Sequence, residues 1–289
     1  MDFFDLHCDT PYECYFKNQP FYKNSLAVSG EKGKIFDNWK QVFAVWIRDD
    51  VSEPYRLYRA VLDGFKEKLG EKPECLTPYF AVEGGAVTEG DTDLLYKLKE
   101  DGIRFLTLTW NGENRIAGGV NSEKGLTHFG RRVIEKLNEL DIRCDLSHLN
   151  EKSFYKAAEL ADMPLVTHAC CRSVCGHKRN LTDEQLRLIS DKNGIVGLCL
   201  YPAFLGGNVY EKFYENVLHL LDMGMENSIA VGSDFDGADM SDELCGVNQI
   251  PQLRRFLCEK GLGEELTEKI FFKNAQKYAE TFDKRRKVV

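Results

Sequence analysis

Short runs rich in apolar and β-branched residues recur along the chain, and most of them precede a stretch with helical spacing. Eight runs have the length and composition of strands, and they cover residues 3–9, 41–49, 77–85, 104–111, 143–149, 164–170, 194–202 and 228–237. Strands that alternate with helices form parallel sheets, so the pattern predicts an α/β chain folded as a (β/α)8 TIM barrel. An open doubly wound sheet is the alternative, but no glycine-rich phosphate loop follows the first run.

The stretches between these runs carry apolar residues four positions apart, as in Leu57, Val61 and Phe65. Thr182 and Gln185 have the spacing of a capping box before another such stretch. Two segments depart from the alternation. Residues 10–40 are irregular and predict an elaborated first βα loop over a site, and residues 265–282 predict a C-terminal helix that closes the barrel.

Composition and charge narrow the classes of function. The 289 residues are 43% hydrophobic and 29% charged, as in soluble globular proteins, and we expect one domain over residues 1–289. The net charge of −8 and the scattered Lys and Arg argue against a nucleic-acid partner, and we expect the basic stretch at 284–287 to be a solvated end. The longest low-charge run, residues 194–207, is too short to span a membrane.

The ten cysteines do not follow a disulfide framework, and the chain starts without a signal-peptide pattern. We therefore expect free thiols and a cytoplasmic location. Cys170, Cys171 and Cys175 lack the spacing of a structural zinc site, and we expect them to act as small apolar residues.

Residue types that bind metals stand at the ends of five predicted strands. The carboxyl ends of barrel strands meet at one rim, where barrel enzymes place their chemistry. Side-chain alternation predicts His7 and Asp9 on one face, with Asp5 a pleat deeper, and Cys8 on the other face. A lone histidine is often a core residue, and a lone Glu83 can be an ion-pair partner, but together they favour two ions bridged by Glu83. The set comprises His7, Asp9, Glu83, His148, His168, Asp234 and Asp236.

The strings around these residues resemble one family. DLHCDTP, AVEGG, LTLTWN, CDLSHL, THACCRSVCGHKRNLTDEQL and GSDFDG are similar, in this order, to the membrane (renal-type) dipeptidases, binuclear zinc peptidases of family M19 among the amidohydrolase-like barrels. The resemblance runs from residue 2 to about residue 280. It implies hydrolysis of free dipeptides, with tolerance for a D-residue at the C-terminal side, by a hydroxide activated between two zinc ions.

The resemblance also implies the metal ligands. His7 and Asp9 would hold one zinc ion, and Glu83 would bridge it to the second. His148 and His168 would complete the coordination of that second ion.

The remaining site residues follow from the same resemblance. Asp234 matches the family's proton-handling aspartate, and Asp236 is a weaker alternative. Arg179 matches the arginine that contacts the substrate, which we expect to be through the substrate carboxylate. The family places a substrate-binding histidine at the end of strand four, but this chain has Trp110 there, followed by Asn111, and we expect both to contact the substrate.

Two other functions stay open from the sequence. One is a different metal-dependent amidohydrolase on the same barrel, such as an amidase, a lactonase or a deaminase. The other is a non-catalytic protein that binds a metal or a peptide. The expected partner is a small dipeptide, with no membrane partner, and a homodimer is expected only by analogy with the family.

Overall fold

The computed structural model describes residues 1–284. Its eight strands are parallel, each pairs with the next in sequence, and β8 pairs with β1, so the sheet closes into a barrel. The predicted (β/α)8 barrel is confirmed, and every strand overlaps its predicted run. The strands are β1 Phe3–Cys8, β2 Trp39–Trp46, β3 Leu76–Glu83, β4 Ile103–Thr107, β5 Arg143–Asp145, β6 Leu165–Ala169, β7 Ile195–Leu198 and β8 Ile229–Val231.

Helices connect most of the strands and surround the barrel. The predicted capping box is present, because the Thr182 hydroxyl accepts from the Gln185 backbone N–H at 3.3 Å and the Gln185 side chain accepts from Thr182 at 2.9 Å. The helices are α1 Thr10–Phe16, α2 Gly30–Gly33, α3 Pro54–Lys68, α4 Leu94–Glu100, α5 His128–Leu140, α6 Glu151–Leu160, α7 Asp183–Asp191, α8 Pro202–Leu205, α9 Val209–Asp222, α10 Ile250–Glu259, α11 Gly263–Glu268, α12 Asn274–Ala279 and α13 Thr281–Lys284.

The C-terminal segment covers the amino ends of the strands, as predicted. It is not one continuous α-helix, because a π turn at Lys269–Lys273 separates α11 from α12. Phe282 is 1% exposed and packs with the side chains inside the barrel, and such burial contributes roughly 1.5–3 kcal/mol. The guanidinium of Arg143, at the start of β5, lies 5.1 Å from the Phe282 ring centroid. This end of the barrel is therefore closed, and the opposite end is left for a site.

The predicted first βα loop crosses the opposite end and contains α1 and α2. The Asp236 carboxylate accepts from the Ala27 backbone N–H at 2.6 Å and from the Thr10 hydroxyl at 2.7 Å. These bonds join the start and the middle of the loop to the segment after β8. The loop is thus held over the carboxyl ends of the strands.

The remaining sequence predictions on the chain as a whole have mixed outcomes. Cys170 and Cys171 are buried among apolar residues, while Cys175 is half-buried. No helix within residues 1–284 combines the length and the apolar character needed to cross a bilayer. Most of the predicted solvated basic end, residues 285–287, lies outside the described residues.

Candidate metal centre

Two of the candidate histidines lie where the strand register slips by one residue. The register of β1 against β2 shifts around His7, and that of β6 against β7 shifts around His168. An extra residue of this kind re-aims a side chain, and such bulges recur beside active sites. Here it brings the two imidazole rings together, with their centroids 4.0 Å apart.

The bulge in β1 makes one prediction wrong. Simple alternation placed Asp5 on the ligand face, but its carboxylate accepts from the Ser233 hydroxyl at 2.5 Å and from the Gln41 amide at 2.9 Å. Burial raises the pKa of this carboxyl group. The two-residue period breaks between Asp5 and His7, so the two side chains do not share a face. Cys8 points away from the cluster, and its thiol donates to the Val42 carbonyl at 3.4 Å.

His148 and Asp234 do not end strands as predicted. β5 stops at Asp145 and β8 stops at Val231, so both residues lie in the loops that follow. Their φ angles are +68° and +63°, in the left-handed region. A non-glycine residue there carries a conformational cost on the order of 1–2 kcal/mol, and such positions cluster at functional sites.

Glu83 stands between two groups of ligand-type side chains. Its Oε2 lies 3.6 Å from His7 Nε2, and His7 Nε2 lies 3.4 Å from Asp9 Oδ2. Its Oε1 lies 2.7 Å from His148 Nε2 and 3.6 Å from His168 Nε2. We name His7, Asp9 and Glu83 the first triad, and Glu83, His148 and His168 the second triad. Each oxygen of the one carboxylate faces one triad.

The donor atoms of these triads suit a divalent metal ion. Within each triad they all lie within 4.8 Å of one another and are buried. Ligands held about 2.0–2.2 Å from a tetrahedral zinc ion lie roughly 3.3–3.6 Å apart, close to the spacing in the first triad. Both ring nitrogens of His7 and Oδ1 of Asp9 are buried without a hydrogen-bond partner. Buried ligand atoms without a hydrogen-bond partner are expected where a cation binds.

The electrostatics of the cluster lead to the same interpretation. Burial opposes the charge on Glu83, but His148 and His7 outweigh it and hold the pKa of this carboxyl group well below its usual range. Burial is likewise outweighed at His7, whose pKa Glu83 and Asp9 raise well above its usual value. Burial, aided by the charge of Glu83, raises the pKa of Asp9 to about 8. Without a metal ion the cluster retains protons that a divalent cation can replace.

Asp234 approaches the cluster from the loop after β8. One of its carboxylate oxygens and one ring nitrogen each of His7 and His168 all lie within 4.8 Å of one another. The Cys199 thiol donates to Asp234 Oδ2 at 3.8 Å, and the Asp234 backbone N–H donates to the His7 carbonyl at 3.1 Å. Burial raises the pKa of Asp234 to about 7. Asp236, the weaker alternative, turns instead to the first βα loop, as its bonds to Thr10 and Ala27 show.

Arg179 is buried close to the second triad. One guanidinium N–H donates to the His168 carbonyl at 3.3 Å, and the guanidinium carbon lies 5.3 Å from the Phe204 ring centroid. Its Nε–H has no partner. A buried guanidinium with a free N–H is suited to bind an anionic group.

A cavity of about 770 Å³ opens above the cluster, and Trp110 and Asn111 line it. Asn111 Oδ1 lies 2.9 Å from His148 Nδ1, so its side chain contacts a candidate ligand as well as the cavity. The Trp110 ring packs edge-on against Trp46, with centroids 5.1 Å apart. Two indole rings therefore form this part of the cavity wall.

Several residues that support the site escaped the sequence analysis. A Cβ built on Gly237 would lie 2.1 Å from Asp9 Oδ2, so only glycine leaves room for that carboxylate. The final glycine of GSDFDG was a usable signal for it. Cys199 and Thr167 contact site side chains and Asp145 contacts Thr167, with no pattern that singles them out in sequence.

A profile of the membrane dipeptidases, Peptidase family M19, matches residues 68–288. This chain belongs to the membrane dipeptidase family. Membership indicates a metal-dependent hydrolase. The match begins after His7 and Asp9, so the tertiary structure is what joins these two residues to the rest of the cluster.

The chain is also similar to individual curated proteins. The chain is 34% identical over 209 residues to a Klebsiella pneumoniae protein named "Uncharacterized protein in pqqA 5'region", covering 67% of this chain and 77% of that one. This chain also matches two other curated relatives, from Schizosaccharomyces pombe and Acinetobacter calcoaceticus, over 48% and 42% of their lengths.

Two solved structures share the fold. Dipeptidase AC, a metallopeptidase of family M19, superposes with a TM-score of 0.87 at 24% identity, over 98% of each chain. A metallopeptidase from Rhodobacter sphaeroides, liganded with a phosphinate mimic of the dipeptide L-Ala-D-Ala, gives 0.84 at 23% identity, over 95% of this chain and 97% of that one.

Proposed function

We propose that this chain is a zinc-dependent dipeptidase that hydrolyses free dipeptides at a centre of two ions. The observation that carries the proposal is Glu83, which directs one carboxylate oxygen into each of the two buried triads. His7 and Asp9 hold one ion, and His148 and His168 hold the other. Membership of the dipeptidase family supports the hydrolytic class.

Zinc bound in such a centre lowers the pKa of water towards neutrality and polarises the carbonyl group that is attacked. Asp234 manages the proton in this proposal. With a pKa of about 7 it can take a proton from the attacking water and pass it to the leaving amine, as a general base and then a general acid. Its position beside His7 and His168 supports this role.

Arg179 binds the terminal carboxylate of the substrate. The unpaired Nε–H of this buried cation supports the role, since a planar guanidinium can pair with both oxygens of a carboxylate. Trp110 and Asn111 contact the rest of the dipeptide from the cavity wall. The ligand of the Rhodobacter sphaeroides protein, a mimic of L-Ala-D-Ala, supports tolerance for a D-residue at the C-terminal side. All ten cysteines are free, which supports a reducing, cytoplasmic location.

The proposal is tested on purified protein loaded with zinc. We expect about two zinc ions per chain by mass spectrometry and release of amino acids from both L-Ala-L-Ala and L-Ala-D-Ala. Chelation should abolish turnover and added zinc should restore it. Turnover that persists in the metal-free protein, or hydrolysis of an N-acyl amide or a lactone but neither dipeptide, would contradict the proposal.

The role of Arg179 has its own test. Arg179→Met should raise KM strongly for free dipeptides and much less for dipeptide amides, which lack the carboxylate. Arg172→Met is the matched control, because Arg172 lies in the same segment and pairs with Glu151 at the surface. Equal effects of Arg179→Met on the two substrates would remove the assigned role.

A further inference from the structure

A buried chain of hydrogen bonds leads from a carboxylate to the outer nitrogen of His168. Thr167 Oγ1 lies 2.7 Å from Asp145 Oδ2 and 3.0 Å from His168 Nδ1. An ionised carboxylate can only accept, so the single hydroxyl proton of Thr167 goes to Asp145. The Thr167 oxygen must then accept from His168 Nδ1–H. This assigns the lone pair of the ring to Nε2, the atom that faces the cluster.

Asp145 is itself held in place by the strands around it. Its carboxylate also accepts from the Thr107 hydroxyl at 2.6 Å, the Ser147 hydroxyl at 2.8 Å and the Thr167 backbone N–H at 3.0 Å. These donors come from β4, the segment after β5, and β6. The carboxylate has little freedom to release Thr167, so the orientation of His168 is set by the barrel.

His148 has an equivalent support. Its Nδ1 lies 2.9 Å from Asn111 Oδ1, which can only accept, so Nδ1 carries a proton and Nε2 is the nitrogen left for a cation. Its Nε2 then faces Glu83 and lies 2.8 Å from His168 Nε2. Both imidazoles of the second triad therefore have Nδ1 engaged by a fixed partner and direct Nε2 to one point.

The first triad has no such support. His7 Nδ1 is buried and has no hydrogen-bond partner, and Asp9 Oδ1 is equally unpaired. No hydrogen bond at Nδ1 fixes the orientation of the His7 ring. An ion that enters the first triad must fix the ring as it binds.

We infer that Asn111 and the Asp145–Thr167 pair are positioning residues for the second triad, and that this triad binds its ion more tightly than the first triad does. The inference rests on the proposed two-ion centre. Partners that orient a ligand ring typically change metal affinity by roughly 10–100-fold. The two ions should therefore leave in two steps, with the first triad emptied first.

Zinc dissociation constants, measured by competition with a chromophoric chelator, test the inference. Thr167→Val keeps the shape and removes the hydroxyl, and should weaken the tighter constant by roughly 10–100-fold while leaving the weaker one unchanged. Thr167→Ser keeps a hydroxyl group and should restore the tighter constant. Thr109→Val is the control, because the Thr109 hydroxyl is buried without a partner. The inference would be overturned if Thr109→Val weakened the tighter zinc constant as much as Thr167→Val does.

Two further measurements separate positioning from general stability. His7→Ala should keep one ion at the tight constant, and His168→Ala should keep one at the weak constant; the reverse order refutes the inference. Histidine ¹⁵N shifts in the metal-free protein should show Nδ1–H at His168, and a mixture of tautomers in Thr167→Val. An unchanged tautomer there counts against the inference. Wild-type protein that binds no zinc contradicts the proposed function instead.

Discussion

His7 and His168 reach the cluster by the same local device and differ in what stands behind them. Each lies where its strand slips by one residue against the next strand, and each ring is buried. His168 Nδ1 has Thr167 as a partner, whereas His7 Nδ1 has none. The extra residue in each strand turns a histidine towards the cluster. A hydrogen bond at Nδ1, which His168 has and His7 lacks, decides which ring nitrogen faces the cluster.

The same difference separates two buried carboxylates of the barrel. Asp5 joins β1 to β2 and to the segment after β8 through Gln41 and Ser233. It also accepts from the backbone N–H of His7 at 3.3 Å, but none of its bonds reaches a ligand side chain. Asp145 joins three neighbouring segments and continues through Thr167 to a candidate ligand. The Asp5 network reaches only the backbone of a ligand residue, whereas the Asp145 network reaches the ring of one.

The largest effect should come from Glu83, the residue that the two triads share. Glu83→Gln replaces one carboxylate oxygen by an amide N–H, which cannot bind a cation. We expect at most one zinc ion per chain and dipeptide turnover lower by about 10³-fold or more, since each ion contributes several kcal/mol. Metal content and kcat/KM are the measurements. Glu89→Gln, at the exposed turn after β3, is the control and should match the wild type in both.

A change beside Asp9 of the first triad, whose added Cβ also meets Asp234 Oδ1 at 2.7 Å, should have a smaller effect. Gly237→Ala places a methyl group where Asp9 Oδ2 now lies 2.1 Å away, so that carboxylate must move. We expect the weaker zinc constant to rise by roughly 10–100-fold, as for other changes that disturb ligand orientation. Gly70→Ala is the control, because nothing lies within 4 Å of its Cβ. A Gly237→Ala protein that loses the tighter ion would show that the two triads are not independent.

The smallest effects should distinguish the two carboxylate networks. In Asp5→Asn the new amide faces the Gln41 amide, and a lost hydrogen bond costs about 1–3 kcal/mol of unfolding free energy. In Asp145→Asn the new amide faces the Thr107 and Thr167 hydroxyls, which can turn to accept, so less stability is lost. The freed Thr167 proton can then turn to His168, and the tighter zinc constant should weaken by up to about 10-fold.

Urea unfolding of the metal-free protein and zinc competition separate these two outcomes. Asp5→Asn should lower stability with unchanged zinc constants, and Asp145→Asn should lower stability less and weaken the tighter zinc constant. Equal zinc constants in the two variants would mean that the Asp145 network supports only the barrel.

Much of this architecture follows from the sequence. The alternation of apolar runs with helical spacing was sufficient for the barrel, because parallel strands joined by helices have few other arrangements. The strings around His7, Glu83 and His168 carried the family resemblance. The placement of the first βα loop and of the C-terminal segment also followed, since neither fits the alternation.

The tertiary structure decided the directions of several side chains, which the periodicity of the sequence cannot predict. One extra residue in β1 moved Asp5 off the ligand face, because a single slip reverses every later side chain. Asp236 turned to the first βα loop, because Ala27, far away in sequence, offered a backbone N–H. The support of His148 by Asn111 and of His168 by Asp145 joins residues 37 and 23 positions apart. The sequence determined which donor atoms this protein has, and the hydrogen bonds formed between distant segments decided where each of them points.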